Sequence, residues 1–342
     1  MTAKITPSRN ITMVELARLA KVDVSTVSRA LNDSPLVKPD TKKHILKIAA
    51  ETGYAVNASA RNLRKRSSGA IGIVIPMRPD SGQTISDPFY LEMVGAVSHA
   101  ASKHGYDLII SVPTGENEIA ERRLLQTGRA DGLIVIGQAG RSERLNALGI
   151  MRDKVVVWGG HTGQQKYTLV GSNNLEGGRL AGEHLLSIGR KRILFLGDID
   201  LPEVALRYDG LKQAHLDAGT RHDSKLVLDL DFGGRRAFDA LQDLIVDGVT
   251  FDAVFGASDV LAMAAIHALQ AKGLMVPGDV SVVGYDNIGQ SSVSTPALTT
   301  IDQNIAMGGE RMVELLLRKL DGKKVKSEMM PTRLIVRQSC GG

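Results

Sequence analysis

The sequence predicts a small all-α head built on a helix-turn-helix, followed by an α/β core of two similar lobes, each a doubly wound parallel sheet. Three observations carry that prediction. Positive charge is concentrated at one end: residues 1–66 hold 13 Lys and Arg against 5 Asp and Glu, net +8, whereas residues 67–342 are net −3. The same basic stretch has helical hydrophobic spacing with capping signals. From residue 70 onward, short β-rich apolar runs alternate with helical segments, the pattern of parallel sheets covered by helices. At 342 residues the chain has room for roughly two to three domains with well-buried cores.

Composition excludes several classes. The lone Cys340 leaves no internal disulfide and no multi-cysteine metal site, which fits a reduced, cytoplasmic setting. No apolar stretch approaches the roughly 18 residues that span a bilayer, and Met1–Asn10 has no apolar core of the secretory kind. The eight histidines show no paired helical metal spacing, His99 and His104 being five apart. There is no phosphate loop, no His-Glu-x-x-His and no Gly-x-Ser-x-Gly, since Gly256-Ala-Ser-Asp-Val260 lacks the last glycine. Neither catalytic residues nor a cofactor or metal is expected. Hydrophobic residues are 43% of the chain but aromatics only 4%, so the core is aliphatic and an aromatic near a cleft is informative.

Within the head, Thr12-Met-Val-Glu15 fits a capping box, in which a Thr hydroxyl caps a helix and a Glu three residues on reaches back. The helix it opens places Val14, Ala17 and Ala20 on one face and stops near Lys21-Val22. Asp23 is a second N-cap, opening a helix over Val24–Asn32 with Val27 and Leu31 four apart on one side. Pro39 suits the first position of a third helix, in which Ile45, Ile48, Ala49 and Thr52 keep helical spacing before Gly53 ends it. Two short helices joined by a tight turn place the second in the major groove, its N-terminal residues at base edges. Val24 and Ser25 stand there, with Arg29 one turn on. Arg pairs bidentately with guanine and Val touches a thymine methyl. Thr26, Ser28, Asn32 and Thr41 are the expected phosphate contacts, which set register. The concentrated charge suits a phosphate backbone, whose neutralisation releases counterions.

Val14-Glu-Leu-Ala-Arg-Leu-Ala20, Val22-Asp-Val-Ser-Thr-Val-Ser-Arg-Ala-Leu-Asn32, Thr41 and Gly53-Tyr54-Ala-Val-Asn57 closely resemble the head of the lactose-repressor/galactose-repressor family of bacterial transcriptional regulators. The likeness continues through Asn57-Ala-Ser-Ala-Arg-Asn-Leu-Arg64, which is similar to the family's hinge helix. That resemblance implies a segment that folds where two copies meet in the minor groove of a palindromic double-stranded operator with a central CpG step. It implies that Leu63 wedges between the central base pairs, Arg61 lies beside it in the groove, and Tyr54 and Asn57 join the DNA contacts. By composition alone, residues 57–68 are a polar basic linker.

In the core, Ile71–Ile75, Tyr106–Ile110, Gly132–Ile136 and Val155–Trp158 form one strand series. Arg192–Leu196, Leu226–Leu228, Ala253–Phe255 and Val280–Val283 form a second. In such sheets ligands bind beyond the carboxyl ends of the strands. Asp87 and Phe89, Trp158, Arg207, Phe232, Ser258 with Asp259, and Tyr285 with Asp286 all fall at those ends. Carboxylates, an Arg and a hydroxyl converging with flat aromatics suit a sugar, whose hydroxyls need paired hydrogen bonds and whose ring face stacks. Singly, each has a plainer role, Asp259 as a helix cap and Trp158 as a core residue. Their shared location carries the inference.

The core also resembles the same family's periplasmic-binding-protein-like core over nearly all of residues 69–338, with matching stretches at Asp87-Pro-Phe89, Asp131-Gly132, Gly171-Ser-Asn-Asn174, Arg207-Tyr-Asp-Gly210, Ala257-Ser-Asp259, Val283-Gly-Tyr-Asp-Asn287 and Pro296-Ala-Leu-Thr-Thr300. By that resemblance Arg207 and Asp286 are the foremost effector-binding residues, with Asp87, Phe89, Trp158, Phe232 and Ser258 behind them. Family members often carry Asn where Ser258 stands and Asp near Gly159 and Gly160. The two glycines after Trp158 leave room for a ring, which favours a sugar or glycoside effector over a purine. The resemblance places a helix-turn-helix domain over 11–56, a hinge helix and linker over 57–68, and a two-lobed effector-binding and dimerisation core over 69–338. Lobe 1 is expected over about 69–167 and 297–328, and lobe 2 over about 168–296 and 329–338. No heptad tail follows the core, so a homodimer is expected rather than a coiled-coil tetramer.

These features predict a sequence-specific repressor whose operator affinity is controlled by a small molecule between the lobes. A regulator of the same architecture that answers a purine or another metabolite remains the alternative. A solute-binding protein for uptake would need a signal sequence and has no use for a basic head. A sugar-processing enzyme would need a nucleophile or an acid/base pair at the strand ends.

Overall fold

A computed structural model of the chain describes residues 11–31, 33–54, 67–78, 82–113, 120–139, 142–151 and 154–341. The chain divides between Ser67 and Ser68 into two units.

The head holds α1 (Met13–Ala20), α2 (Val24–Leu31) and α3 (Pro39–Glu51). Thr12 caps α1 as its sequence requires: its hydroxyl accepts from the Glu15 N–H at 3.3 Å and the Glu15 carboxylate accepts from the Thr12 N–H at 2.8 Å. Lys21, at φ 52°, ends α1, and Gly53, at φ +66°, follows the Thr52 cap of α3. Leu16, Ala17, Ala20, Val27, Ala30, Val37, Ile45 and Ala49 form the core of the unit. Val14 departs from expectation and is 65% exposed. The inward stripe of α1 runs through Met13, Leu16, Ala17 and Ala20 at i, i+3, i+4 and i+7, and Val14 lies outside it.

The second unit has two six-stranded sheets. Lobe 1 carries, in spatial order, β11 (Glu328–Met330), β5 (Thr168–Ser172), β4 (Val155–Trp158), β3 (Gly132–Ile136), β1 (Ala70–Val74) and β2 (Asp107–Ser111), all parallel. Lobe 2 carries β12 (Arg333–Ile335), β10 (Thr299–Asp302), β9 (Ser281–Asp286), β8 (Ala253–Gly256), β6 (Ile193–Leu196) and β7 (Val227–Leu228), parallel except where β12 meets β10. Helices α4 (Pro88–Lys103), α5 (Ala120–Gln126), α6 (Ser142–Met151) and α11 (Ile305–Leu320) belong to lobe 1; α7 (Asn174–Ser187), α8 (Pro202–Asp217), α9 (Gly234–Val246) and α10 (Asp259–Ala271) belong to lobe 2. The central strands β1, β3, β4 and β8 are buried along their whole length, which explains their continuous aliphatic runs.

Four strands lie outside the two series read from the sequence: β5, β10, β11 and β12. They are short and carry Thr168, Thr299, Thr300, Asp302, Glu328 and Arg333, so no apolar run marks them. Their pairing moves the lobe boundaries. Val156 on β4 pairs Thr168 on β5, Tyr285 on β9 pairs Ile301 on β10, and Val170 on β5 pairs Glu328 on β11. The chain therefore crosses between lobes after Ser172, after Asp302 and after Met330, later than the expected crossings at 167, 296 and 328. The core also runs past residue 338, because the Ser339 hydroxyl accepts from the Thr299 N–H at 2.8 Å and donates to the Val282 carbonyl at 2.6 Å. Cys340 is buried there, and burial pushes its thiol up to about 11.

Candidate functional site

In the head, Val24, Ser25 and Arg29 are exposed at the start and along one side of α2, as a helix that reads base edges requires. Thr26, Thr41 and Tyr54 are half-buried, and Tyr54 packs against the head's core. Ser28 faces inward at 9% exposure, unlike Val24, Ser25 and Arg29. Lys42 is paired with Asp33. Asn32, Asn57, Arg61 and Leu63 lie outside the described residues.

In the core, a cleft of about 520 Å³ opens between the lobes. Asp87, Phe89, Trp158, Arg207, Phe232, Ser258 and Asp286 all line it, so the seven residues predicted from strand ends do converge.

Lobe 1 gives the cleft a largely aromatic wall. Trp158 is the last residue of β4 and is 5% exposed, serving both as core and as cleft lining. Phe89 lies in the first turn of α4 with its ring tilted 58° against Tyr90, centroids 5.4 Å apart. Asp87 caps the same helix, its carboxylate accepting from the Phe89 N–H at 2.9 Å. Burial pushes the Asp87 carboxyl above its ordinary pKa.

Lobe 2 gives a polar wall held by a chain of bonds. Arg207 is 5% exposed on α8 and its guanidinium lies 3.7 Å over the Tyr285 ring. Its Nε donates to Asn174 Oδ1 at 2.8 Å and its Nη1 to the Ala257 carbonyl. Asn174 Nδ2 donates to the Ser172 carbonyl at 3.1 Å, and the Ser172 and Tyr285 hydroxyls lie 3.0 Å apart. The α7 helix presses close to this segment: a Cβ at Gly178 would stand 1.9 Å from the Arg207 carbonyl oxygen, so glycine is required there. Ser258 caps α10, accepting from the Leu261 N–H at 3.2 Å. That leaves Asp259 a different task from the cap first expected. It is fully buried and accepts from the Ile288 N–H at 2.9 Å and from the Thr300 hydroxyl, and burial pushes its carboxyl up to about 7.

Asp286 ends β9 at φ 123° and is followed by Asn287 at φ 58°. Both lie in the region that costs a non-glycine residue about 1–3 kcal/mol and that concentrates at ligand sites. Side chains hold the turn: Gln303 Nε2 donates to Asp286 Oδ1 at 2.6 Å and Arg337 Nη2 to Asn287 Oδ1 at 2.7 Å. Burial raises the Asp286 pKa well above the ordinary carboxylate range, with Arg207 opposing and Asp259 and Asp87 adding to the shift.

Of the two glycines after Trp158, Gly159 lines the cleft, and neither has room for a side chain. A Cβ at Gly159 would meet Gln138 Oε1 at 2.5 Å, and one at Gly160 would meet the Glu203 backbone nitrogen at 2.9 Å. Gly160 belongs to lobe 1 and Glu203 to lobe 2, so this glycine lets the lobes touch instead of admitting a ligand ring. Gln83, Tyr90, Asn174, Glu203 and Gln303 line the cleft without having been singled out. Asn174 ends a quoted family stretch, and Glu203 follows a proline at a helix start; neither type declares a ligand role by itself. An adjoining chamber of about 430 Å³ shares Gln83, Tyr90, Gly137, Glu203 and Phe232 and is bordered by the Arg78–Asp198 ion pair.

Among the described residues no helix is long and apolar enough to cross a membrane, and no cluster of three or more His, Cys, Asp or Glu is placed to hold a metal.

Comparison with known proteins matches residues 12–57 to the bacterial regulatory proteins of the lacI family and residues 183–340 to a periplasmic binding protein-like domain. The chain is similar to the HTH-type transcriptional regulator CelR of Thermobifida fusca, 31% identical over 97% of this chain and 98% of that one. It is equally similar to a ribose operon repressor of Halalkalibacterium halodurans, 31% identical over 97% of each. Among solved structures, a CelR–cellobiose complex superposes with a TM-score of 0.70 at 28% identity, covering 96% of this chain and 100% of that one.

Proposed function

Because the chain belongs to the lacI family of bacterial regulatory proteins, we propose that it is a DNA-binding transcriptional repressor controlled by a carbohydrate held between the lobes of its core. One observation carries the ligand reading: Arg207 and Asp286 on one wall face Phe89 and Trp158 on the other across a single cleft. Charged groups already locked by Asn174, Tyr285 and Gln303 present fixed hydrogen bonds to hydroxyls, and aromatic faces accept the apolar side of a sugar ring. A relative solved with cellobiose in complex supports the same class.

The protein acts as a homodimer on a palindromic operator with a central CpG step. Val24, Ser25 and Arg29 contact base edges, Thr26 and Thr41 the backbone, and residues 57–64 the minor groove. Residue 68 enters lobe 1 where the Ser68 and Gly69 N–H groups donate to the Asp131 carboxylate, at 2.6 and 3.0 Å. A ligand that touches both lobes fixes their relative orientation and, through lobe 1, the approach of the two linkers. It changes operator affinity only by its differential affinity for the two arrangements.

The test is a thermal-shift screen of mono- and disaccharides, glycosides and nucleobases, followed by fluorescence anisotropy on operator DNA with each stabilising compound. A carbohydrate that raises Tm and shifts the operator Kd supports the reading. A nucleobase that does both, with every carbohydrate silent, refutes the ligand class.

A further inference from the structure

The cleft holds more carboxyl groups than cations. Asp87, Glu203 and Asp286 line it, and Arg207 is the only cation among its described lining residues. Arg207 is committed to Asn174, to the Ala257 carbonyl and to the Tyr285 ring. Two of the carboxyls are engaged: Asp87 accepts from the Phe89 N–H and Asp286 from Gln303. Glu203 differs. Its Oε2 is closed to solvent and has no hydrogen-bond partner, yet the residue lines both the main cleft and the adjoining chamber.

A buried acceptor without a partner costs about 1–3 kcal/mol, and such groups need a reason. Glu203 lies in the first turn of α8, where the aligned peptide dipoles favour negative charge. Burial opposes that charge and raises the Glu203 pKa, against a hydrogen bond from its own backbone N–H and the Arg207 charge, with Asp198 pushing it further up. A ligand hydroxyl could satisfy the oxygen, but a Gln would serve as well and would carry no desolvated charge. A cation, unlike a hydroxyl, also offsets the buried negative charge. A cationic donor would also relieve the mutual repulsion of the Asp87 and Asp286 carboxyls, each of which raises the pKa of groups in this cleft.

We infer that Glu203 is the specificity-determining residue of the cleft and that the ligand it selects is an amino sugar, whose ammonium donates to the Glu203 carboxylate while its hydroxyls fall to Arg207 and Asp286. This rests on the carbohydrate reading and narrows it.

Calorimetry on the full chain tests it with matched pairs: glucose and glucosamine, galactose and galactosamine, mannose and mannosamine, cellobiose and the β-1,4-linked glucosamine dimer. In at least one pair the amine binds tenfold or more tighter than its neutral partner. Glu203→Gln, nearly isosteric, removes that preference, while Glu203→Asp, which keeps the charge, retains a preference. The inference is overturned if the neutral member of every pair binds as tightly as the amine, or if Glu203→Gln keeps the preference; neutral sugars that bind leave the carbohydrate reading intact. Absence of binding by both members of every pair overturns the amino-sugar inference and leaves the carbohydrate reading to the wider thermal-shift screen.

Discussion

Lobe 1 faces the cleft with Phe89, Tyr90 and Trp158 beside Gln83 and Asp87, whereas lobe 2 faces it with Asn174, Glu203, Arg207, Ser258 and Asp286 beside a single aromatic, Phe232. The aromatic wall is continuous with the lobe 1 core, since Tyr90 and Trp158 are buried in the same cluster as Met93 and Ile136. The polar wall is instead an assembly of strand ends, helix starts and charge, held in place by Gln303, Tyr285 and Ser172. The difference teaches where each wall is vulnerable. Aromatic residues serve ligand and fold together, so their loss is read first as stability. The polar wall contains strained backbone and desolvated carboxyls, so its cost is read as pH dependence and its benefit as affinity.

The largest effect expected is on pH. Asp259 stands behind the polar wall with its pKa raised from 3.8 to about 7. A carboxyl whose folded pKa is raised holds its proton longer in the native state than in the unfolded one. Its contribution is therefore fully present below about pH 4 and is lost as pH rises towards 7. His184, His215 and His222, whose pKa values burial lowers, act in the opposite sense. Their effect cancels in the difference between wild type and Asp259→Asn. Thermal unfolding from pH 4 to 8 should show wild type losing stability relative to that variant; parallel curves would contradict the assignment.

Trp158→Ala should come next, destabilising the core by about 3–5 kcal/mol through the cavity it leaves in lobe 1. Denaturant unfolding measures this, and a loss under about 1 kcal/mol would separate the aromatic wall from the core. Gly160→Ala should cost about 1–3 kcal/mol, because its Cβ would stand 2.9 Å from the Glu203 nitrogen of the other lobe. Ligand affinity should fall by about tenfold or more, since the lobes must separate to admit the methyl. Unchanged calorimetric affinity would mean that the lobes do not need this contact to hold a ligand. Phe89→Ala should have the smallest effect, weakening carbohydrate binding about fivefold by loss of one half-buried aromatic face.

Much of this arrangement could be read along the chain. All seven core residues placed at the cleft stand at strand ends or in the segments after them, where parallel-sheet topology brings them together whatever their individual roles. Capping chemistry was equally legible, since Thr12 acts with Glu15 three residues on and Pro39 sets the first turn of α3 through its own fixed φ. What stayed hidden depends on partners distant in sequence. Strands β5, β10, β11 and β12 are recognised only by their pairing, because Thr, Asp, Glu and Arg cut the aliphatic run short. Glycine at 160 has one meaning beside Trp158 and another once Glu203 is known to press on it. Ser28 carries an ordinary hydroxyl whose inward turn is fixed by the packing of α2 on α1 and α3.

Arg207 tests the division of the cleft most directly. The carbohydrate that stabilises wild type should bind Arg207→Ala at least about 100-fold more weakly in calorimetry, a loss of about 3 kcal/mol for a charged hydrogen-bonding group. The same variant should still bind operator DNA, now indifferent to that carbohydrate. Affinity equal to wild type in Arg207→Ala would contradict the claim that the lobe 2 wall holds the ligand.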